Sequence, residues 1–260
     1  MNTQRNIIKF IFPVIILLGG CFLCNIFLKK CVYKTPAKPG QKTIFTFLGA
    51  PGAGKGTLAA QCVSKLGFKT VSTGNLCRTE IASGSEKGKK LKEYIMKGLV
   101  PDNIIVDMLK AWLDKQKGNE TIILDGYPRT QNQGKLLDDL MKKKFSEYRF
   151  RVIFLQAFDE KEVVKRLTSR IVCSNKKCQA VYNLATLKDK AKRICEKCGG
   201  KLIQRADDKE EVIKKRLNDF AKNNAEIVSF YNKIGVIVET LNASHITPKQ
   251  VFENFKKIAS

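Results

Sequence analysis

The feature that most constrains this chain is the run Thr43-Ile-Phe-Thr-Phe-Leu48 followed at once by Gly49-Ala-Pro-Gly-Ala-Gly-Lys-Gly-Thr57. The β-prone run reads as a short buried strand, and Lys55 to Leu66, stopping at Gly67, reads as a helix. Glycines between them let backbone N–H groups turn inward, and the helix start adds partial positive charge. A strand, turn and helix joined in this way cradle phosphate oxygens. Gly52, Ala53, Gly54 and Gly56 supply the cradle, Lys55 can reach the β- and γ-phosphates of a nucleotide, and Thr57 can offer a hydroxyl near Mg²⁺. The strict pattern has Ser or Thr directly after the lysine; here Gly56 intervenes.

The rest of the chain alternates strand and helix. Residues 68–71, 121–124, 150–155 and 235–240 read as strands. Helical patterns cover 104–116 and 131–143, a stretch capped by Asp159 and running to about Arg170, and then 209–231 and 248–258. Short apolar strands alternating with helices imply an α/β fold with a parallel sheet covered on both faces. There is no internal repeat. With 43% hydrophobic residues, the chain can bury a sizeable core and is no disordered or collagen-like composition.

The segment before the loop differs from everything after it. Phe10 to Leu28 (FIFPVIILLGGCFLCNIFL) carries no charge, and roughly 20 such residues span a bilayer as a helix. Cys21 after Leu-Gly-Gly also fits a lipoprotein signal, and a cleaved signal peptide is the other alternative, although the apolar run continues past Cys21. The expectation is a transmembrane anchor over about 10–28 within an N-terminal tail of 1–42. Arg5 and Lys9 precede it, whereas Lys29, Lys30, Lys34, Lys38 and Lys42 follow it, which would place a single-pass protein's main domain on the cytoplasmic side. Residues 29–42 then read as a basic linker along the membrane surface.

Charge is lopsided throughout, with Lys+Arg 48 against Asp+Glu 24. That excess suits polyanionic partners, yet no arginine-rich block interleaved with aromatics points to nucleic acid. The one histidine, His245, lies near the C-terminus, which argues against chemistry needing a histidine general base. Trp112 falls on an amphipathic helix and reads as core. Of the nine cysteines, Cys21, Cys24, Cys31, Cys62 and Cys77 follow no disulfide scheme. The other four form Cys173-x4-Cys178, 16 residues, then Cys195-x2-Cys198. Two pairs so spaced fit a tetrahedral structural Zn²⁺ site, and Fe²⁺ would suit the same thiolates.

Three further motifs follow the loop: Ser72-Thr-Gly-Asn-Leu-Cys-Arg78, Gly98-Leu-Val-Pro-Asp102 and Asp125-Gly-Tyr-Pro-Arg-Thr-Gln-Asn-Gln133. With GAPGAGKGT, these resemble the STGDxLR, GxLVPD and DGFPRTxxQ stretches of the adenylate kinase family, and the resemblance covers about residues 43–260. It implies a P-loop nucleoside monophosphate kinase fold: a five-stranded parallel sheet flanked by helices, with an AMP-binding helical subdomain at about 72–101 and a four-cysteine lid at about 171–206. It implies transfer of a phosphoryl group from Mg-ATP to AMP, giving two ADP, in a monomer.

By the same resemblance, Thr73, Arg78, Gly98, Leu99, Val100, Gly126, Arg129, Gln133, Arg205 and Arg216 would bind AMP. Arg166, Val181 and Tyr182 would join the loop in binding ATP. Lys55, Asp125, Arg129, Arg166, Arg170, Arg205 and Arg216 would carry the chemistry, Asp125 holding Mg²⁺ through water and Asp207 and Asp208 pairing with arginines on closure. Gln133 offers both donor and acceptor to an adenine edge. Two departures stand out: Asn75 replaces the acidic residue of STGDxLR, which implies altered efficiency, and the first cysteine pair is two residues looser than the family's CxxC. A kinase for another nucleoside monophosphate, or an anchored adenylate sensor with little turnover, are the alternatives, and GTP as donor stays open.

Overall fold

The computed structural model describes residues 41–96, 100–116, 118, 120–157, 160–175, 178–187 and 191–259. In chain order the elements are β1 (Thr43–Gly49), α1 (Lys55–Leu66), β2 (Lys69–Ser72), α2 (Thr73–Ser83), α3 (Glu86–Met96), α4 (Asp102–Leu113), β3 (Ile122–Asp125) and α5 (Gln131–Lys144). They continue with β4 (Arg149–Gln156), α6 (Glu160–Thr168), β5 (Arg170–Cys173), β6 (Val181–Asn183), β7 (Leu202–Ile203), α7 (Glu210–Lys233), β8 (Val238–Asn242) and α8 (Pro248–Ala259). The main sheet has the order β2-β3-β1-β4-β8, and every pairing in it is parallel. A smaller antiparallel sheet, β6-β5-β7, stands apart.

Strand periodicity explains the layering. Successive side chains of β1 point to opposite faces. Ile44 and Leu48 enter one core with Val71, Leu109, Leu124, Leu137, Val152 and Tyr231, which brings α4, α5 and α7 onto that face. Phe45 and Phe47 enter the other with Leu58, Ile153, Leu241 and Phe252, under α1 and α8. Both phenylalanines meet Phe255 edge-on. Trp112 is half-buried against the first core, and His245 is exposed, as their positions in the sequence imply. The one polar residue in the middle of β1, Thr46, is fully buried and gives its hydroxyl hydrogen to the Tyr127 carbonyl, fastening the segment after β3 onto the central strand.

Two expectations need correction. The helix capped at Asp159 does not reach Arg170: α6 ends at Thr168, and Arg170 opens β5. Thr168 and Ser169 turn their hydroxyls back onto the carbonyls of Val164 and Lys165, and pairing of 170–172 with 181–183 takes over. Asp159 itself lies outside the described residues. The expectation of a single-pass membrane protein, with a membrane partner through an N-terminal helix and its domain on the cytoplasmic side, is also not upheld. Among the described residues no helix is long and apolar enough to cross a membrane, and the segment 10–28 lies outside them. Elsewhere the boundaries shift by one to three residues; β8 starts at Val238 rather than 235 because Gly235, at φ +83°, still belongs to the turn after α7.

Gly49 sets where β1 stops and the loop begins. Its φ is +135°, and a Cβ there would lie 2.4 Å from the Leu155 carbonyl oxygen of β4. Gly54, at φ +95°, has open space around its missing Cβ. Gly49→Ala should therefore lower unfolding free energy by about 3 kcal/mol or more, combining backbone strain with a displaced strand, whereas Gly54→Ala should cost only the strain, about 1–2 kcal/mol. Urea denaturation of both variants checks the difference.

Candidate active site

Parallel α/β sheets offer ligands the crevice at the carboxyl ends of their strands. Here β1 and β3 lie side by side with Phe47 opposite Asp125, so the glycine-rich loop and Asp125 reach that edge together. The Lys55 ammonium folds back over the loop and donates to the Gly49 and Ala50 carbonyls, at 2.7 and 2.8 Å. Burial pulls its pKa down from 10.5 to about 8; Asp125 opposes the shift, and Arg129, Arg216 and Arg170 reinforce it. Asp125 is raised by burial and held back by Lys55 and Arg129.

The extra glycine of the loop has a local reason. A Cβ on Gly56 would sit 3.3 Å from Asp125 Oδ2, so Gly56 lets that carboxylate approach the first turn of α1. Thr57 is exposed on the same turn, and Ala53 is buried beneath the loop. Gly52 lies against Val163 and Leu167, so α6 packs directly on the loop.

The second set of motifs gathers beside this edge. Ser72 of β2 is in register with Asp125, which places α2 at the same end of the sheet. Thr73 is buried and its hydroxyl faces the Gly126 carbonyl at 3.4 Å. Arg78 donates to Asn75 Oδ1, one turn earlier on α2. Arg129 is exposed, with Nε donating to the Gly126 carbonyl at 3.0 Å. Gln133 is buried at the start of α5, where its own N–H is capped by the Thr130 hydroxyl. Its carboxamide Oε1 accepts from the Arg129 N–H, and its Nε2 donates to Asp102 Oδ1, both at 2.7 Å. Val100 is half-buried against the first core, and Gly98 and Leu99 lie outside the described residues.

The arginines of the later chain converge on the same space. Arg170 donates through two nitrogens to the carboxylate of buried Asp208. Arg216 bonds the Asp207 carbonyl and carboxylate, each at 3.1 Å. Arg205 keeps a buried Nε with no hydrogen-bond partner among the described residues. Burial, then the repulsion of Arg78 and Arg170, lowers Arg205 to about 10. Arg78 and Arg216 are lowered by burial first, with neighbouring arginines adding to it. Burial works against ionisation of Asp207, yet Arg216, Arg78, Arg170 and Arg205 together bring it below its ordinary value. Lys55, Arg78, Arg129, Arg170, Arg205 and Arg216 thus sense one another across a single cleft, with Asp125, Asp207 and Asp208 among them. Arg166 is not drawn into this group; it pairs with Glu162 one turn back on α6.

The cysteine-rich insert has its own geometry. The sulfurs of Cys173, Cys178, Cys195 and Cys198 all lie within 4.8 Å of one another, a set that could hold a metal ion. Their donor chemistry fits a four-thiolate metal, and the backbone is shaped for it: a Cβ on Gly200 would meet the sulfurs of Cys173 and Cys198 at 3.0 and 3.4 Å. Around the second pair the chain turns tightly, Gly199 N–H donating to the Cys195 carbonyl at 2.8 Å. The Tyr182 hydroxyl lies 3.3 Å from Cys195 Sγ, so the phenol joins the insert's interior, while Val181 beside it is exposed. Sequence reasoning missed this contact and the role of Asp102, although Asp102 stands in the quoted Gly98–Asp102 stretch. The available signal was Asp102 after Pro101 at a helix start.

A family model described as "Adenylate kinase" matches residues 47–236. A curated relative named adenylate kinase from Thermosipho africanus is 44% identical over 188 residues, covering 72% of this chain and 86% of the relative. Another, from Archaeoglobus fulgidus, is 41% identical over 194 residues, covering 74% and 88%. One from Methanosarcina barkeri is 36% identical over 215 residues, covering 81% and 95%. Likeness at this level, together with a family model that spans residues 47–236, shows that the chain belongs to the adenylate kinase family.

Proposed function

We propose that this protein transfers the γ-phosphoryl group of Mg-ATP to AMP, reversibly, giving two ADP. The observation that carries this reading is the cleft in which Lys55 and five arginines face one another, bounded by a phosphate loop on one side and by Thr73 and Gln133 on the other. Two nucleotides with several negative charges each are the partners such a site suits.

In this reading Gly52 to Thr57 hold the donor phosphates, and Lys55 leaves the Gly49 and Ala50 carbonyls to follow the transferring group. Arg166, Val181 and the Tyr182 backbone lie toward the donor. Thr73, Arg78, Gly98 to Val100, Gly126, Arg129 and Gln133 receive AMP, its phosphate held by Arg78 and Arg129. Arg170, Arg205 and Arg216 steady the equatorial oxygens as charge moves from donor to acceptor. Phosphoryl transfer requires chiefly such alignment and neutralisation. Mg²⁺ arrives with ATP and would be held near Thr57 and Asp125, offsetting phosphate charge. The segment 72–101 serves as acceptor subdomain and 171–206 as lid, which excludes water that would otherwise take the phosphoryl group. The four cysteines hold a structural Zn²⁺ that fixes the lid's shape. All these groups come from one chain, so a monomer suffices.

With full-length protein, Mg-ATP and AMP should give ADP much faster than Mg-ATP with UMP, CMP or GMP. Lys55→Ala should lower kcat by about a hundredfold or more. Turnover with a different acceptor alone would move the base assignment, and binding without turnover would overturn the kinase reading. ATP should also draw a proton onto Lys55 near pH 8: its pKa is about 8 without nucleotide, and phosphate charge raises it. Calorimetry at pH 8 in buffers of different ionisation enthalpy should show net proton uptake, lost in Lys55→Ala. The protein should carry about one equivalent of Zn²⁺. Its removal by chelator, or Cys195→Ser, should lower the melting temperature of the lid, as followed by hydrogen exchange across 171–206.

A further inference from the structure

The carboxamide of Gln133 can present itself in two ways, and its neighbours allow only one. Nε2 donates to Asp102 Oδ1, and Oε1 accepts from the Arg129 main-chain N–H, each at 2.7 Å. A carboxylate oxygen only accepts, and a backbone N–H only donates. Rotating the amide by half a turn would set Oε1 against the carboxylate and Nε2 against the N–H. Both hydrogen bonds would be lost around a side chain that is 3% exposed, where an unpaired polar group is costly.

Asp102 is itself held in place. It is the first residue of α4, and its Oδ2 accepts from Asn132 Nδ2 at 2.7 Å and from the Thr130 hydroxyl at 3.4 Å. The Tyr127 hydroxyl donates to the Gln133 carbonyl at 3.2 Å. The start of α4 is thereby tied to the start of α5, and the tie fixes which end of the amide is oxygen.

A glutamine amide has two N–H donors and two acceptor lone pairs. Asp102 and Arg129 use one of each, leaving one donor and one acceptor without a partner among the described residues. A 6-amino purine complements that pair: its amino group donates and its adjacent ring nitrogen accepts. A 6-oxo purine reverses both, with an oxygen acceptor beside a ring N–H donor, and would need the rotated amide.

We propose that Asp102 determines acceptor-base specificity: its carboxylate locks the Gln133 amide in the orientation that accepts a 6-amino purine monophosphate and rejects a 6-oxo one. This rests on the assignment of Gln133 to the acceptor site made above. Asp102 acts through Gln133 and is a positioning residue.

The test compares AMP with inosine monophosphate, which differs from it only at this edge, using full-length wild type, Asp102→Asn and Asp102→Ala with Mg-ATP. In Asp102→Ala the ratio of kcat/KM for AMP over the inosine nucleotide should fall about tenfold or more, because the freed amide can turn to meet either base. Asp102→Asn keeps the shape but can itself turn, so its ratio should fall by less. KM for AMP should rise more than kcat falls in both. Variants that melt at the wild-type temperature yet keep the wild-type ratio would overturn the proposal while leaving the kinase reading intact. Should Asp102→Ala fail to fold, an unchanged ratio in Asp102→Asn alone would overturn it. Wild type that does not phosphorylate AMP would sink the acceptor-site assignment and this inference with it, whatever the variants do.

Discussion

The crowding of largely half-buried cations is the constraint around which the structure is arranged. Lys55 and five arginines occupy one cleft with three carboxylates. Removing them from water costs free energy, and their like charges add to the cost. The lowered pKa values of Lys55, Arg78, Arg205 and Arg216 are the record of that cost. Asp208 and Asp207 relieve part of it by pairing with Arg170 and Arg216. Arg205 gets less relief, and its buried Nε has no partner among the described residues. A cleft of this kind stays positive when empty, so polyanions enter with electrostatics in their favour.

A sheet with two independent cores makes such a cleft tolerable. Residues of β1 alternate between the two apolar layers, and neither layer contains any of the clustered cations. The cations come from the start of α1 (Lys55), the start of β5 (Arg170), the loops at Arg129 and Arg205, and α2 and α7 (Arg78 and Arg216), outside both apolar layers. Among the described residues one ion pair lies within the main sheet: buried Arg151 with half-buried Glu239 joins β4 to β8 away from the cleft. Thr46 is the exception that links core to site, because its bond to the Tyr127 carbonyl sets the position of Gly126 and Arg129.

What the sequence disclosed follows from what is local. The loop, Asp125 and Thr73 could be placed because each sits at or next to a strand end, and Gln133 because it lies in the first turn of the helix that follows β3; alternating strands bring their ends together. The sheet order and the antiparallel insert depend on contacts across the chain. The turn from α6 into β5 was lost because the helical pattern continues past Thr168, while side-chain bonds to the backbone and pairing with 181–183 end the helix there. Asp102 was quoted within a motif for its backbone setting, but its bonds run to residues 28 to 31 positions away, which no local pattern exposes. Cysteine spacing was legible as a metal motif even though its first pair departs from the usual interval, since four thiols in two close pairs have few other uses.

The insert connects mechanics to electrostatics. Its buried residues are Ile171, Leu187 and Leu202 with Cys173 and Cys195, and Cys178, Ala180, Tyr182 and Leu184 pack partly buried against them, separate from both cores of the main sheet. With so few apolar residues it gains little from burial alone, and its four cysteine side chains lie together within that packing. The chain leaves the body into this unit at Arg170, the first residue of β5, and returns at Arg205, two residues past β7. Because β5 pairs with both β6 and β7, the unit is braced as one piece. Both of its crossings with the body therefore carry an arginine into the cleft, one held by Asp208 and one whose Nε has no partner among the described residues. A rotation of the insert about those crossings would act first on Arg170 and Arg205, so the pose of the insert and the charge of the cleft are coupled through these two guanidiniums.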